Sequence, residues 1–110
     1  MKLLLLLLCL ASALLAQTTH SATLVWQDAT NPAGTTYSVY RSTGLCSGAP
    51  VFSKIASALT VKTYVDSTVT AGNYCYQVTA TSGGMESAPS NQAPAPVPSF
   101  PPQSLTVAIK

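Results

Sequence analysis

Cysteine and histidine could supply a nucleophile and a base in this 110-residue chain, which has three cysteines and one histidine. A catalytic thiol requires a base held beside it. His20 lies in the N-terminal tail, well separated in sequence from Cys46 and Cys75. We therefore predict that the chain is not a thiol enzyme.

The acidic residues do not form a recognisable metal or catalytic motif. Asp28, Asp66 and Glu86 are isolated from one another, and each has a turn-forming explanation. A metal ion requires clustered ligands, and glycosidases with a carboxylate pair are far larger proteins. Residues 83–84, a pair of glycines, indicate a tight turn and not a phosphate-binding loop. The sequence thus predicts no catalytic residue, no metal site and no cofactor.

Charge is sparse throughout the chain. Five Lys and Arg residues face three Asp and Glu residues, which gives a formal net charge of +2. Nucleic-acid binding usually needs a basic patch or stripe, and none is present. We therefore predict no nucleic-acid partner.

Residues 1–16 have the pattern of a secretory signal peptide: a lysine, an apolar run rich in leucine, and then small residues. A transmembrane helix needs about 20 apolar residues. The polar residues 17–20 interrupt this run too early. We predict cleavage after Ala16, with Ala13 as the alternative site, and loss of Cys9 with the signal. The mature protein would be secreted or extracellular, or alternatively periplasmic, with no membrane association after cleavage.

The clearest strand signal follows Gly72. Tyr74, Tyr76 and Val78 alternate with polar residues and Cys75, as expected for a strand with one buried face. The glycine pair that follows predicts a hairpin. Its second arm, residues 85–91, has the composition of an exposed or edge strand.

Other alternating segments are short. Residues 21–27 place Leu24 and Trp26 on one face, with Trp26 as the expected core residue and ligand stacking as the alternative role. Further strands are predicted at residues 36–42, with Tyr37 and Val39 on one face, at residues 51–55, and at residues 62–66, which contain Tyr64. Since no helix is predicted after the signal, this pattern favours an all-β antiparallel sandwich.

Two segments follow the predicted sandwich of residues 21–91. Residues 92–103 are rich in proline, which predicts a stiff linker that does not pair in a sheet. Residues 104–110 alternate Leu105, Val107 and Ile109 and therefore predict an extra C-terminal strand.

Five segments in order resemble a fibronectin type III domain of the version common in secreted bacterial proteins: LVW, YSVYRS, TYVDSTVTAG, YCYQVTA and GMESAPSN. The resemblance implies an immunoglobulin-like, seven-strand sandwich. It assigns Trp26 to strand B, Tyr37 and Val39 to strand C, Tyr64 to strand E, and Tyr74 to strand F. Tyr74 would be the tyrosine-corner residue, whose hydroxyl binds backbone between strands E and F.

Two further expectations depend on this resemblance. Strands C and F are neighbours in the fold and Cys75 has outward parity, which makes a Cys46–Cys75 disulfide geometrically reasonable. Strand A is missing or vestigial before residue 21, so that the sandwich would have an open edge beside strand B.

The resemblance implies a non-catalytic module for extracellular protein contacts, in adhesion or surface assembly. Leu105, Val107 and Ile109 would complete the open sandwich, either in their own molecule or as a strand donated to another copy, which would build a filament. A disordered tail is the alternative for this segment. The alternative functions are a carbohydrate-binding accessory domain, with Tyr40 as the contacting aromatic residue, and a spacer fragment of a larger secreted enzyme.

Overall fold

The computed structural model describes residues 19–102 and 105–109, and these residues form seven strands and no helix. The strands are β1 (Ala22–Val25), β2 (Thr36–Thr43), β3 (Ser53–Leu59), β4 (Thr63–Asp66), β5 (Gly72–Ser82), β6 (Met85–Glu86) and β7 (Ala93–Val97). The predicted signal peptide, residues 1–16, lies outside the described residues. In the described part of the chain, no helix is long and apolar enough to cross a membrane.

The strands form two antiparallel sheets. One pairs β1 with β4, and the other has the order β3-β2-β5-β6, with β7 also paired with β5. β2 and β5 form the longest ladder, from Thr36 opposite Thr81 to Thr43 opposite Tyr74. The all-β antiparallel sandwich predicted from the alternation of the sequence is therefore correct.

The core lies between the two sheets and is built from the alternating residues of β2 and β5. Tyr37, Val39, Tyr74 and Tyr76 are buried there, together with Val69 from the connection before β5. The other predicted core residues are only partly buried and pack against this cluster: Leu24, Trp26, Tyr64 and Val78. Leu24, Trp26 and Val78 are partly exposed because they line the open side of the sandwich described below.

The turn between β5 and β6 requires its glycines. Gly83 and Gly84 have φ angles of 58° and 78°, and they connect the paired residues Ser82 and Met85. Two consecutive residues with positive φ make a two-residue hairpin turn that matches the twist of the strands. The glycine pair thus forms the predicted reversal.

The prediction that residues 92–103 form an unpaired linker is wrong for its first half, because β7 pairs with β5 along the edge of the larger sheet. Pro94 and Pro96 alternate with Ala93, Ala95 and Val97, so the residues between the prolines keep their N–H groups. Proline is tolerated on an edge strand when its nitrogen faces solvent.

Two serines bridge the interval between β6 and β7. Ser87 and Ser90 donate backbone N–H bonds to the carbonyls of Ala80 and Val78, at 2.7 and 2.8 Å. Their hydroxyls accept bonds from the N–H groups of the same two residues, each at 3.0 Å. The serine hydroxyls therefore take the place of strand carbonyls. The backbone groups of Val78 and Ala80 on the edge of β5 stay hydrogen-bonded in the interval between β6 and β7.

The prediction of a C-terminal strand is not met within this chain. Residues 105–109 have no strand structure, and Leu105, Val107 and Ile109 are 88%, 69% and 90% exposed. A strand needs a neighbour to satisfy its backbone, and none pairs with this segment among the described residues. Closure of the sandwich by its own C-terminal segment is therefore not the arrangement in this structure.

Candidate strand-acceptor groove

Asp66, at the end of β4, is the centre of a buried polar network that joins both sheets. It is 2% exposed and accepts hydrogen bonds from Arg41 at 2.8 Å, from the Tyr76 hydroxyl at 2.7 Å, and from the Thr68 hydroxyl at 2.6 Å. Arg41 also lies over the ring of Tyr74, 5.3 Å from its centroid. Arg41 is half-buried in this ion pair. Because the buried Asp66 carboxylate already accepts bonds from three side chains, the network joins the two sheets and is structural.

The network shifts the pKa of Asp66. Burial alone would raise this pKa, but the hydrogen bonds from Thr68, Tyr76 and Arg41 outweigh burial and lower it to about 2. Burial and the neighbouring carboxylate raise the pKa of the Tyr76 hydroxyl. Both groups therefore keep their charge states, carboxylate and neutral phenol, across the neutral range.

A dependence of stability on pH follows from the lowered pKa of Asp66. An unfolded aspartate has a pKa of about 3.9, so the folded state gains its advantage above that pH and loses it as the pH falls towards 2. We expect the free energy of unfolding to fall by about 2 kcal/mol over this range in excess of the change for Asp66→Asn. Urea titrations at pH 6 and pH 2.5 measure the difference. Equal losses in the two proteins would contradict the assignment.

The tyrosine-corner geometry is present at the start of β5. The Tyr74 hydroxyl accepts a hydrogen bond from the backbone N–H of Thr70 at 3.1 Å and lies 3.2 Å from the Thr70 hydroxyl. These bonds lower the pKa of Tyr74. Tyr74 thus ties the connection between β4 and β5 to the core.

A disulfide joins Cys46 to Cys75, with the Cα atoms 5.1 Å apart. Cys75 lies on the face of β5 opposite Tyr74 and Tyr76, as its parity predicts, but it is fully buried because the loop after β2 covers it. That loop is also held by a backbone bond from Gly44 to Asn73 at 2.7 Å. Both cysteines are therefore structural.

Tyr40, the candidate sugar-contacting residue, has protein partners on its ring and its hydroxyl. The hydroxyl donates to Glu86, which also accepts from Thr79 at 2.6 Å. The Lys54 ammonium lies over the ring at 5.6 Å from the centroid. This arrangement is cross-strand packing on the outer face of the sheet, and nothing in it favours carbohydrate binding.

An open groove of about 560 Å³ lies between β1 on one side and β5 and β7 on the other. Its wall on the β1 side runs from Ala22 to Gln27, and its opposite wall includes Tyr76, Val78 and Ala95. The groove lies along the edge of β1 that faces away from β4, and it exposes part of the apolar core.

The edge of β1 that borders this groove has backbone groups that pair with no other strand among the described residues. The backbone N–H of Trp26 donates to the backbone carbonyl of Lys62 at 3.1 Å. The register continues with Leu24 opposite Tyr64 and Ala22 opposite Asp66. In an antiparallel pair, alternate residues point their N–H and C=O groups at the partner. The intervening residues, Thr23 and Val25, therefore direct theirs away from β4, towards the groove edge.

Trp26 closes one end of the groove. Its ring meets Tyr37 edge to face, with centroids 5.5 Å apart, and its indole N–H is buried without a hydrogen-bond acceptor among the described residues. An unsatisfied buried donor costs roughly 1 to 3 kcal/mol. Trp26 packs against the core cluster, in line with its interpretation as a core residue, and the alternative role in ligand stacking stays a prediction.

No group of three or more metal-ligating side chains occurs in residues 19–102 or 105–109. His20 stacks its ring on Phe100, with centroids 4.0 Å apart. This contact lies at the start of β1, close to where the chain leaves β7. The histidine is thus used in packing between two chain ends.

Comparison with solved structures identifies the fold. The chain is similar to the solution structure of the fourth FNIII domain of a human protein, with a TM-score of 0.59 and 21% sequence identity over 73% of this chain and 68% of that one. No protein-family model matches the chain, and no curated protein matches it either.

The fold is therefore that of a fibronectin type III-like sandwich, the class that the sequence segments resemble. In this chain, the sandwich has an open groove beside β1.

Proposed function

We propose that this chain is a non-catalytic extracellular module for protein contacts, in adhesion or surface assembly, of the type found in secreted bacterial proteins. Its contact site is the groove beside β1, which accepts an extended segment of a protein partner as an added strand. The unpaired backbone of Thr23 and Val25 beside exposed apolar core is the observation that carries this proposal. An added strand obtains affinity from main-chain bonds and specificity from alternate side chains in a groove.

The protection of the edges of the larger sheet supports the choice of β1. Edge strands in monomeric proteins usually carry proline, charge or bulges that prevent pairing with another chain. β7 has Pro94 and Pro96, and β3 has Lys54 and register shifts in its pairing with β2. The four residues of β1 include no proline and no charge. The β1 edge is therefore open to strand addition.

Extracellular delivery is part of the proposal. The signal-like residues 1–16 and the Cys46–Cys75 disulfide support it, because disulfides form and persist in oxidising compartments.

We expect Thr23→Pro to abolish strand addition at β1 while leaving the β1 and β4 pairing intact. The substitution removes an N–H that faces the groove edge and places a proline ring there. Panning a random heptapeptide display library against the wild-type protein should enrich alternating apolar peptides. These peptides should bind Thr23→Pro at least tenfold more weakly.

Val65→Pro is the matched control, because Val65 is opposite Thr23 in the same sheet and directs its N–H to the other edge of β4. It should bind the enriched peptides within about threefold of wild type, a difference of less than about 0.7 kcal/mol. If no peptide is enriched, or if both proline variants bind equally, the groove is not a strand acceptor.

A further inference from the structure

The exposed segment at residues 105–109 has the pattern that the groove requires. Leu105, Val107 and Ile109 share one face of an extended chain, and Thr106 and Ala108 share the other. All three apolar side chains are largely exposed, at 88%, 69% and 90%. An extended segment with one apolar face and an uncharged middle matches an uncharged strand edge beside an apolar groove.

The register of β1 gives three inward positions for three apolar residues. Ala22, Leu24 and Trp26 face the core side, and in an antiparallel pair directly opposite side chains lie on the same face. Ile109 would then be opposite Ala22, Val107 opposite Leu24, and Leu105 opposite Trp26. The bulky Ile109 would meet the smallest of the three, and Thr106 and Ala108 would pair with the free backbone of β1.

The position of Phe100 opposes closure by the same molecule. Its stacking on His20 holds the chain near the start of β1. Antiparallel pairing places Leu105 beside Trp26, six residues and about 20 Å further along. Five residue steps from Phe100 reach at most about 17 Å, and the chain must also turn back. A segment from another molecule enters the groove without this restriction.

We propose that the strand accepted by the groove is the 105–109 segment of a second copy of this chain. The inference rests on the proposed function and adds the identity of the partner. Each copy then has one donor segment and one acceptor groove. Donation in one direction from copy to copy is a heterologous contact, and when its rotation does not close a ring, the copies assemble into an open linear filament.

The test uses the purified protein and four variants, with mass measured by sedimentation velocity across a hundredfold range of concentration. Wild type should form a ladder of species that lengthens with concentration. Val107→Asp, which puts a charge on the inward face of the donor, and Thr23→Pro, which blocks the acceptor, should each be monomeric. Thr106→Asp and Val65→Pro are the matched controls, on the outward face of the donor and the far edge of β4, and they should still form ladders.

Mixing the two monomeric variants gives the sharpest result. Thr23→Pro retains the donor and Val107→Asp retains the acceptor, so an equimolar mixture should form a one-to-one dimer and no larger species. A monomeric wild type, a mixture that stays monomeric, or ladders formed by both blocking variants would each overturn the inference. A monomeric wild type whose melting temperature falls in both Val107→Asp and Thr23→Pro, and not in their matched controls, would also overturn it, since that result shows closure within one molecule.

The outcome is separable from that of the proposed function. If library peptides bind the β1 edge but wild type is monomeric, the groove is a strand acceptor for a different protein and the second copy is wrong. If no peptide binds and no ladder forms, both proposals fail.

Discussion

Replacing Asp66 with alanine is expected to lower the free energy of unfolding by about 3 to 5 kcal/mol. The substitution removes the carboxylate that accepts from the Tyr76 hydroxyl and from Arg41, which keeps its bond to the Thr68 hydroxyl at 2.8 Å, and removing one partner of a buried ion pair leaves an uncompensated charge. A domain of this size has a total stability of roughly 5 to 15 kcal/mol. Much of the variant could therefore be unfolded at room temperature, as urea titration followed by near-ultraviolet circular dichroism would show.

Glu86→Ala is the matched control for this experiment. Glu86 also accepts hydrogen bonds from two side chains, Tyr40 and Thr79, but it is exposed on the edge of the larger sheet. Loss of exposed interactions of this kind costs less than about 1 kcal/mol. If Asp66→Ala destabilises the protein no more than Glu86→Ala, the buried network does not hold the two sheets together.

Asp66 shows what sequence reasoning could not detect. Its position before Ser67 indicates the end of a strand, and nothing in the spacing links it to Arg41, 25 residues earlier. The link exists because β4 and β2 lie in different sheets that face each other, which is a property of the packing. A signal was available in Tyr76, since a tyrosine with core-facing parity needs a partner for its hydroxyl.

The strands of the central ladder were predictable because alternation is strong where one face is fully buried. The predicted strand at residues 36–42 matches β2 (Thr36–Thr43) almost to the residue, and the predicted alternation of residues 74–80 lies within the longer β5 (Gly72–Ser82). β7 was not predicted because its two prolines indicate a linker, although the residues beside them keep the backbone N–H groups that a strand needs. Edge strands tolerate this composition, so proline content alone does not separate an edge strand from a linker.

The groove was predictable only as an open edge. A missing strand before β1 implies exposed core, but the depth of the groove depends on how closely β7 approaches β1, which the sequence does not specify. The C-terminal segment at residues 105–109 is the opposite case, because its sequence pattern is clear and its pairing is not. Residues 105–109 have a clear strand pattern and yet pair with nothing in the described chain, because a strand needs an edge within reach. A strong local pattern without a local partner is what a donor segment would show.

Removal of the Cys46–Cys75 disulfide is expected to lower the free energy of unfolding by about 3 to 4 kcal/mol. The bridge closes a loop with a sequence separation of 29, and cross-linking at this separation removes entropy mainly from the unfolded chain. For a domain of this size the loss corresponds to a melting temperature lower by about 12 °C or more. Thermal scans of the protein with and without dithiothreitol measure it.

The double variant Cys46→Ala/Cys75→Ala is the control, because its melting temperature should not respond to the reductant. If reduction leaves wild type unchanged, or if a thiol label adds to both positions of the unreduced, denatured protein, the bridge is absent. Reduction should leave the groove in place below the lowered melting temperature. The disulfide attaches the loop after β2 to the face of β5 opposite the core, and that loop keeps its backbone bond from Gly44 to Asn73. Strand binding at the β1 edge should therefore be lost only as the whole domain unfolds.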